Sequence, residues 1–318
     1  MKVLIIGAGA LGVAMGASLK DGGMDVDFLA KGDTKAAIEL KGISRTEWFK
    51  DIVVPAGSVG VYDDYAKLPE DAYDYIIIST KTIANEEVAE LLAEYAGCMN
   101  EGCKIVFMQN GMGYEKPFLD FFEEDEIYHS RVITGFVKDE ANSSKITAHQ
   151  APILIGSIFG YDNQPVKPLI DAINASGIPA EIDEEISKAL WAKLIYNTTL
   201  NPLGAILGMS YGELADSDYA HSIMDILIEE TFDIMNRAGG ITYWSDADAY
   251  RDALFNDMIP VTYEHRSSTL QDIEKKQKTE IDTLTGSLLN LASSCNMSAP
   301  MHSMIYSLVK ALEEKFTS

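Results

Sequence analysis

Cysteine is scarce in this chain. Cys98, Cys103 and Cys295 are the only three in 318 residues, and no CxxC or Cys/His ligand spacing accompanies them. An odd, unpatterned set excludes a disulfide framework and a thiolate metal site, and no metal is expected. Free thiols in a reducing, cytoplasmic setting are the simplest reading, with a Cys98–Cys103 bridge as the alternative. Positive charge is also scarce: 25 Lys and Arg stand against 49 Asp and Glu, a net charge of −24. Such a surface repels phosphate backbones and anionic lipids, which argues against nucleic-acid and membrane partners. It also repels a small anionic substrate, so lysines in apolar or glycine-rich surroundings carry more weight than those in surface runs. No apolar run reaches the ~20 residues of a membrane-spanning helix. Neither low-complexity segments nor solenoid repeats occur. What remains is a soluble globular composition, 47% hydrophobic and 23% charged, long enough for one large domain or two of ordinary size.

The first twenty residues, "MKVLIIGAGALGVAMGASLK", have the lysine, apolar run and small residues of a signal peptide. Glycine placement favours another reading. Lys2 to Ile6 is a short, β-branched, apolar strand. Gly7, Gly9 and Gly12 follow in GxGxxG spacing, then a helix that stops at Gly22 and Gly23, then a second strand, "MDVDFLA". This strand–turn–helix–strand context is what the dinucleotide fingerprint requires. Gly7 permits the tight turn, Gly9 lets backbone approach a pyrophosphate, and Gly12 lets helix and strand pack closely. With Ala8, Ala10 and Leu11 these residues form the predicted phosphate turn, at a helix N-terminus that favours anions. NAD sites place an acid about 20 residues beyond the glycines. Here that position holds "LAKGDTK", with Lys31 at the strand end. A cation suits a 2′-phosphate and favours NADP, while the nearby Asp33 keeps NAD in play.

Further strands are read at "YDYIIISTK" and "CKIVFMQNGMG", with an amphipathic helix between them. The alternation predicts a doubly wound parallel sheet, with ligands beyond the carboxyl ends of its strands. Lys81 and Asn110 lie just past two such ends. "SRVITGFV", "KITAHQ" and "PILIGSI" read as strands, arranged as an antiparallel extension. "PVKPLIDAINASG" reads as a helix and "IPAEI" as a last strand. From Asp183 the pattern becomes helical throughout. The predicted architecture is therefore α/β: a dinucleotide-binding domain over 1–182, followed by an all-α domain over 183–318.

In "WAKLIYNTTLNPLGAIL", Lys193, Asn197 and Asn201 recur every fourth residue in an otherwise apolar segment. Four residues advance a helix by ~400°, so the three share one face and drift only ~40° per step. Solvated helix faces carry Glu and more Lys rather than Asn and Thr, so this stripe points to a binding surface. Pro202 is expected to break or kink the helix nearby. In "HRSSTLQDIEKKQKTEID", Ser268 and Glu280 stand ~120° apart on one straight helix. Thr279 and Asp282 fit the [ST]-x-x-[DE] helix start. A break within "KKQK" and a new helix from Thr279 would put Glu280 in its first turn.

"IIGAGALG", "STK", "QNGMG", "KLIYNTTLNPL" and "RSSTLQDIEKKQKTEID", in this order and spacing, resemble the ketopantoate reductases (2-dehydropantoate 2-reductases) over nearly the whole chain. The resemblance implies a Rossmann-like first domain and NADPH-dependent reduction of a 2-oxo acid. It implies that Lys193 is the proton donor, that Asn197, Asn201 and Ser268 hold substrate, and that Glu280 lies where substrate and cofactor meet. It further implies that Lys81 and Asn110 contact cofactor, with Asn110 near the reacting end and so beside the substrate too. The cleft between the two domains is the site it implies. The family often has Asn where this chain has Tyr211. A paralogue reducing a different 2-oxo acid and a non-catalytic NADP-binding sensor are the competing readings. The expected partner is a small 2-oxo acid, and a homodimer stays open.

Overall fold

The computed structural model describes residues 1–317. The chain divides into two compact units, one of residues 1–109 and 114–186, the other of residues 110–113 and 187 onward.

The first unit contains β1 (Lys2–Ile6), α1 (Ala10–Asp21), β2 (Asp25–Leu29), α2 (Gly32–Lys41), β3 (Ile43–Thr46), β4 (Ile52–Val54), β5 (Gly60–Tyr62) and β6 (Tyr73–Ile78). It continues through α3 (Asn85–Glu94), β7 (Met99–Phe107), β8 (Ile127–Arg131), β9 (Thr134–Glu140), β10 (Ser143–His149), β11 (Ile153–Gly156), α4 (Lys167–Ala175) and β12 (Ala180–Ile182). The main sheet has the order β12-β11-β8-β7-β6-β1-β2-β5. It is parallel from β5 to β8, turns antiparallel between β8 and β11, and is parallel again to β12. Its central strands are apolar without alternation because both faces are covered. In β1, Val3 and Ile5 join one core cluster while Leu4 and Ile6 join the other.

The expected antiparallel extension is only partly what forms. β11 does pair antiparallel with β8, but β9 and β10 belong to a second sheet of order β4-β3-β10-β9. The segment read as one strand, "SRVITGFV", is two: β8 ends at Arg131 in the main sheet and β9 begins at Thr134 in the second. The strand ends of "YDYIIISTK" also retract, since β6 stops at Ile78. Ile43, Ile52, Val54 and Ile146 of the small sheet share a core cluster with Val13, Met15 and Leu19 of α1 and with Val3 and Ile5 of the main sheet. Gly12 to Leu19 are consequently all buried. A helix covered all round is apolar all round, which is why the N-terminal run mimics a signal peptide.

The second unit is helical among its described residues: α5 (Ile186–Leu207, whose first residue closes the first unit), α6 (Tyr211–Asp216), α7 (Asp218–Arg237), α8 (Ala247–Ala253), a π-helical turn, α9 (Ile259–Val261), α10 (Ser268–Glu274), α11 (Thr285–Ser294) and α12 (Pro300–Thr317). Of the break or kink expected at Pro202, no break forms: α5 runs through it as one helix. Proline removes one helical hydrogen bond, but Leu200, Leu203 and Ala205 around it are buried, and that packing holds the helix together. The break within "KKQK" is present, but the next helix begins at Thr285 rather than Thr279. Thr279 spends its backbone N–H and its hydroxyl on the Glu313 carboxylate, both at 2.7 Å. Glu280 instead heads a turn in which Thr283 N and Leu284 N donate to its carbonyl at 3.0 Å. No helix among the described residues is long and apolar enough to cross a membrane.

All three cysteines are free thiols. Burial pushes the Cys98 thiol up to about 11 and the Cys103 thiol up to about 12. A raised pKa leaves little thiolate at pH 8, so a thiol-specific disulfide reagent should label only the half-exposed Cys295 quickly. The other two should react only after denaturation; rapid native labelling of all three would contradict this packing. A Cβ added at Gly12 would lie 2.0 Å from the Gly7 carbonyl oxygen, whereas one at Gly9 would meet nothing within 4 Å. Gly12→Ala should therefore lower unfolding free energy by ~2 kcal/mol or more, and Gly9→Ala by under about 1 kcal/mol. Urea denaturation of the two variants measures the difference.

Candidate active site

The glycine turn belongs to the first unit. β1 ends at Ile6, and Gly7 takes φ +106°, a conformation open mainly to glycine. Ser79 Oγ donates to the Gly7 carbonyl at 2.7 Å and fixes the turn from the end of β6. Gly9 is the N-cap of α1. No side chain caps that end and no acid occupies its first turn, so the free N–H groups and the positive dipole end keep their attraction for an anion. The openness above Gly9 and the tight seat of Gly12 fit a pyrophosphate resting on this turn. A cavity of about 280 Å³ adjoins it, lined among others by Gly7, Ala8, Lys31, Thr34, Tyr65 and Thr80. Ala10 and Leu11 open the helix itself. Lys31 is exposed at the N-cap of α2. Lys81 is exposed too, at the N-cap of a 3-10 turn over Thr82–Ala84.

Lys138 is a cation that the sequence reading missed. From β9 its Nζ donates to the Ala8 carbonyl at 3.1 Å and to Thr34 Oγ1 at 2.9 Å. It has no carboxylate partner among the described residues, and burial pushes its pKa below the ordinary lysine value. Nothing near Lys138 in sequence signals this. The second sheet alone brings β9 back to the glycine turn. Two buried amides were missed as well. Asn85 Nδ2 donates to Gln109 Oε1 at 3.0 Å and to the Tyr114 carbonyl at 2.8 Å. Gln109 Nε2 donates back to Asn85 Oδ1 at 2.8 Å and to the Thr80 carbonyl at 2.7 Å. Gln109 and Tyr114 flank the 110–113 segment, so this reciprocal pair fixes both of its ends.

In the second unit, Lys193 Nζ donates to Asn110 Oδ1 at 2.6 Å, and Asn110 Nδ2 donates to Glu280 Oε2 at 2.8 Å. Three residues singled out from segments far apart in the chain thus form one hydrogen-bonded line, and all three are half-buried. Gly111, at φ +95°, lets the segment press on the turn below Glu280: a Cβ there would fall 2.3 Å from the Thr283 carbonyl oxygen. Asn197, one helical turn beyond Lys193 on α5, is also half-buried. Asn201 is buried, and its Oδ1 accepts from the Tyr211 hydroxyl at 2.7 Å. That bond leaves the Asn201 amide N–H groups as its free donors, so Tyr211 sets which end of the amide it can offer. Ser268 is exposed at the first position of α10, whereas its neighbour Ser267 is buried. Ser267 Oγ donates to the Asn201 carbonyl at 3.0 Å and accepts from Leu270 N as the α10 cap. Burial pushes the neighbouring Tyr211 hydroxyl well up and His265 down. Among the described residues, the polar groups here include an ammonium, neutral amides and hydroxyls, and a carboxylate. Such a set can bind an anionic carbonyl compound and deliver a proton to its oxygen.

The chain resembles known proteins along its length. The sequence model described as "Ketopantoate reductase PanE/ApbA" matches residues 3–159, and "Ketopantoate reductase PanE/ApbA C terminal" matches residues 185–313. A 2-dehydropantoate 2-reductase of Aquifex aeolicus is 31% identical over 98% of this chain and 97% of its own. Among solved structures, a PanE/ApbA family ketopantoate reductase from Ralstonia eutropha superposes with a TM-score of 0.84 at 24% identity, covering 100% of both chains. D-mandelate dehydrogenase in complex with NADH and anilino(oxo)acetate has a TM-score of 0.82 at 22% identity, again over 100% of both chains, and shares the fold. Matched in both halves and along its full length, the chain belongs to the ketopantoate reductase family, NADPH-dependent oxidoreductases that reduce 2-dehydropantoate at its 2-oxo group.

Proposed function

We propose that this chain reduces 2-dehydropantoate to pantoate with NADPH, with Lys193 as the proton donor. The observation that carries the assignment of roles is the Lys193–Asn110–Glu280 line, a half-buried ammonium held in place by an amide whose other end is held by a carboxylate. Bound NADPH supplies a hydride to the carbonyl carbon. As charge gathers on the carbonyl oxygen, Lys193 hydrogen-bonds that oxygen and gives up its proton, leaving the 2-hydroxy acid. General acid catalysis of this kind contributes about 10²–10⁴-fold, or roughly 3–5 kcal/mol of barrier. Glu280 keeps the Asn110 amide turned so that its oxygen faces the ammonium. Asn197, Asn201 and Ser268 supply neutral donors for the substrate's carboxylate and hydroxyl. Gly7–Gly12 hold the pyrophosphate, Lys31 and Lys138 the 2′-phosphate, and Lys81 a further part of the cofactor. The free thiols suit a reducing compartment, and we assign the cytoplasm on that ground.

D-mandelate dehydrogenase shows that this fold also serves other acids, so substrate is tested directly. Loss of dihydronicotinamide absorbance on mixing protein, NADPH and 2-dehydropantoate is the expected result. Loss only with other 2-oxo acids would reassign the substrate, and binding without loss would make the protein a sensor.

Lys193→Ala should lower turnover at least about a hundredfold while the NADPH dissociation constant changes little. Turnover near wild type in that variant would remove the acid role. Lys31→Ala and Lys138→Ala should each weaken NADPH by about tenfold, or ~1.4 kcal/mol, and NADH far less. Equal losses for the two cofactors, measured by fluorescence titration, would count against the phosphate contact.

A further inference from the structure

Glu280 is gripped on both sides by the last helix of the chain. Tyr306, Lys310 and Glu313 follow one another on α12 at i, i+4 and i+7, which places them on one face. Glu313 is only 4% exposed. Its Oε1 accepts from Thr279 N and Thr279 Oγ1, both at 2.7 Å, and its Oε2 pairs with Lys310 Nζ at 3.1 Å. Thr279 Oγ1 in turn accepts from Ile281 N at 3.2 Å. Both chain neighbours of Glu280 are thereby fixed. The second grip is on Asp282, which accepts from the Tyr306 hydroxyl at 2.6 Å and from Lys310 Nζ at 3.0 Å. Burial opposes ionisation of Asp282, but these two bonds outweigh it and hold its carboxyl below the usual range.

The helix that does the gripping is itself anchored. The Glu230 carboxylate on α7 accepts from Met301 N at 2.8 Å, from His302 N at 3.0 Å and from His302 Nδ1 at 2.9 Å. A carboxylate on free N–H groups at a helix start is a strong charge-assisted contact. Position therefore passes from α7 through α12 to the 279–282 turn, and from Glu280 to Asn110 and Lys193.

We propose that Glu313 is a positioning residue for the reaction: it acts through Thr279 to set where the Glu280 carboxylate stands, and through it the Lys193 ammonium. The inference rests on the roles proposed above for Lys193 and Glu280. Its energetic logic is simple. The Glu280 backbone lies in an irregular turn, which no helical or sheet ladder holds in place. A displacement of about 1 Å in a reacting constellation costs up to about 10²-fold in rate. Fixing the turn by a buried carboxylate removes that freedom.

The test compares Glu313→Ala, Glu313→Gln, Glu280→Gln and the Glu280→Gln/Glu313→Ala pair in the full chain, with 2-dehydropantoate and NADPH. Glu313→Ala should lower kcat about 10- to 100-fold, with the NADPH dissociation constant within about twofold of wild type. Glu313→Gln, whose amide oxygen still accepts from Thr279, should recover most of that loss. If Glu313 acts through Glu280, adding Glu313→Ala to Glu280→Gln should cost less than about twofold more, a non-additivity expected of coupled residues. Wild-type kcat in folded Glu313→Ala, or losses that simply multiply in the pair, would overturn the proposal. Should Glu313→Ala fail to fold, Thr279→Val removes the hydroxyl's bonds to Glu313 and from Ile281 N but keeps the Thr279 N bond to Glu313, and must still lower kcat several-fold; an unchanged kcat there overturns it equally. Wild-type turnover in Glu280→Gln and Lys193→Ala would sink the underlying roles. Loss in those two with none in Glu313→Ala sinks this inference alone.

Discussion

One amide has to face two ways. Asn110 accepts from the Lys193 ammonium and donates to the Glu280 carboxylate, and only one rotamer of the terminal amide satisfies both. An ammonium and a carboxylate in direct contact would neutralise each other and turn inward. With an amide between them, each is steadied by a neutral group. Much of the rest of the structure serves to place that amide. The buried Asn85–Gln109 pair fixes the two ends of its segment, Gly111 brings the backbone against the Thr283 carbonyl, and α12 steadies the turn that carries the carboxylate.

The charge balance gives this placement its importance. With a net charge of −24, the surface field opposes both an anionic substrate and a phosphorylated cofactor. Most lysines are already paired: Lys2 with Asp27, Lys35 with Glu39 and Asp63, Lys167 with Asp171. Lys138 instead has carbonyl and hydroxyl partners, on Ala8 and Thr34. An acidic protein can thus bind anions because attraction is confined to a few sites, and the repulsive surface discourages polyanions from competing there.

What could be read in the sequence was what is local. The glycine turn, the first strands and the Lys193–Asn197–Asn201 stripe each lie within a stretch of about four turns or fewer, where periodicity and turn chemistry decide the outcome. Asn110 was legible because it follows a strand end, a position that parallel sheets expose to ligands. The second sheet was not legible, because β3 and β10 are brought together from distant parts of the chain and neither is periodic enough alone to reveal its partner. The same failure hid Lys138. Glu280 was singled out, but its turn was misread as a helix start. The [ST]-x-x-[DE] pattern is a local signal, and it lost to a distant one: the Glu313 carboxylate captures the Thr279 groups that a cap would use.

That competition bears on how such a site is maintained. A helix starting at Thr279 would have tied Glu280 into a regular ladder, with its carboxylate direction set by helical geometry and by the dipole. Removing Thr279 from that role frees Glu280 to point at Asn110, but it leaves an irregular turn whose backbone entropy must be offset elsewhere, at roughly 1–2 kcal/mol per residue fixed. The offset comes from the buried Glu313 carboxylate with two charge-assisted hydrogen bonds, each contributing about 1.5–3 kcal/mol. The two magnitudes are comparable, so a precisely aimed irregular turn is affordable only where a rigid element such as α12 is at hand to hold it. The last helix, distant in sequence from Lys193, is on this argument part of what holds the Lys193 ammonium in place.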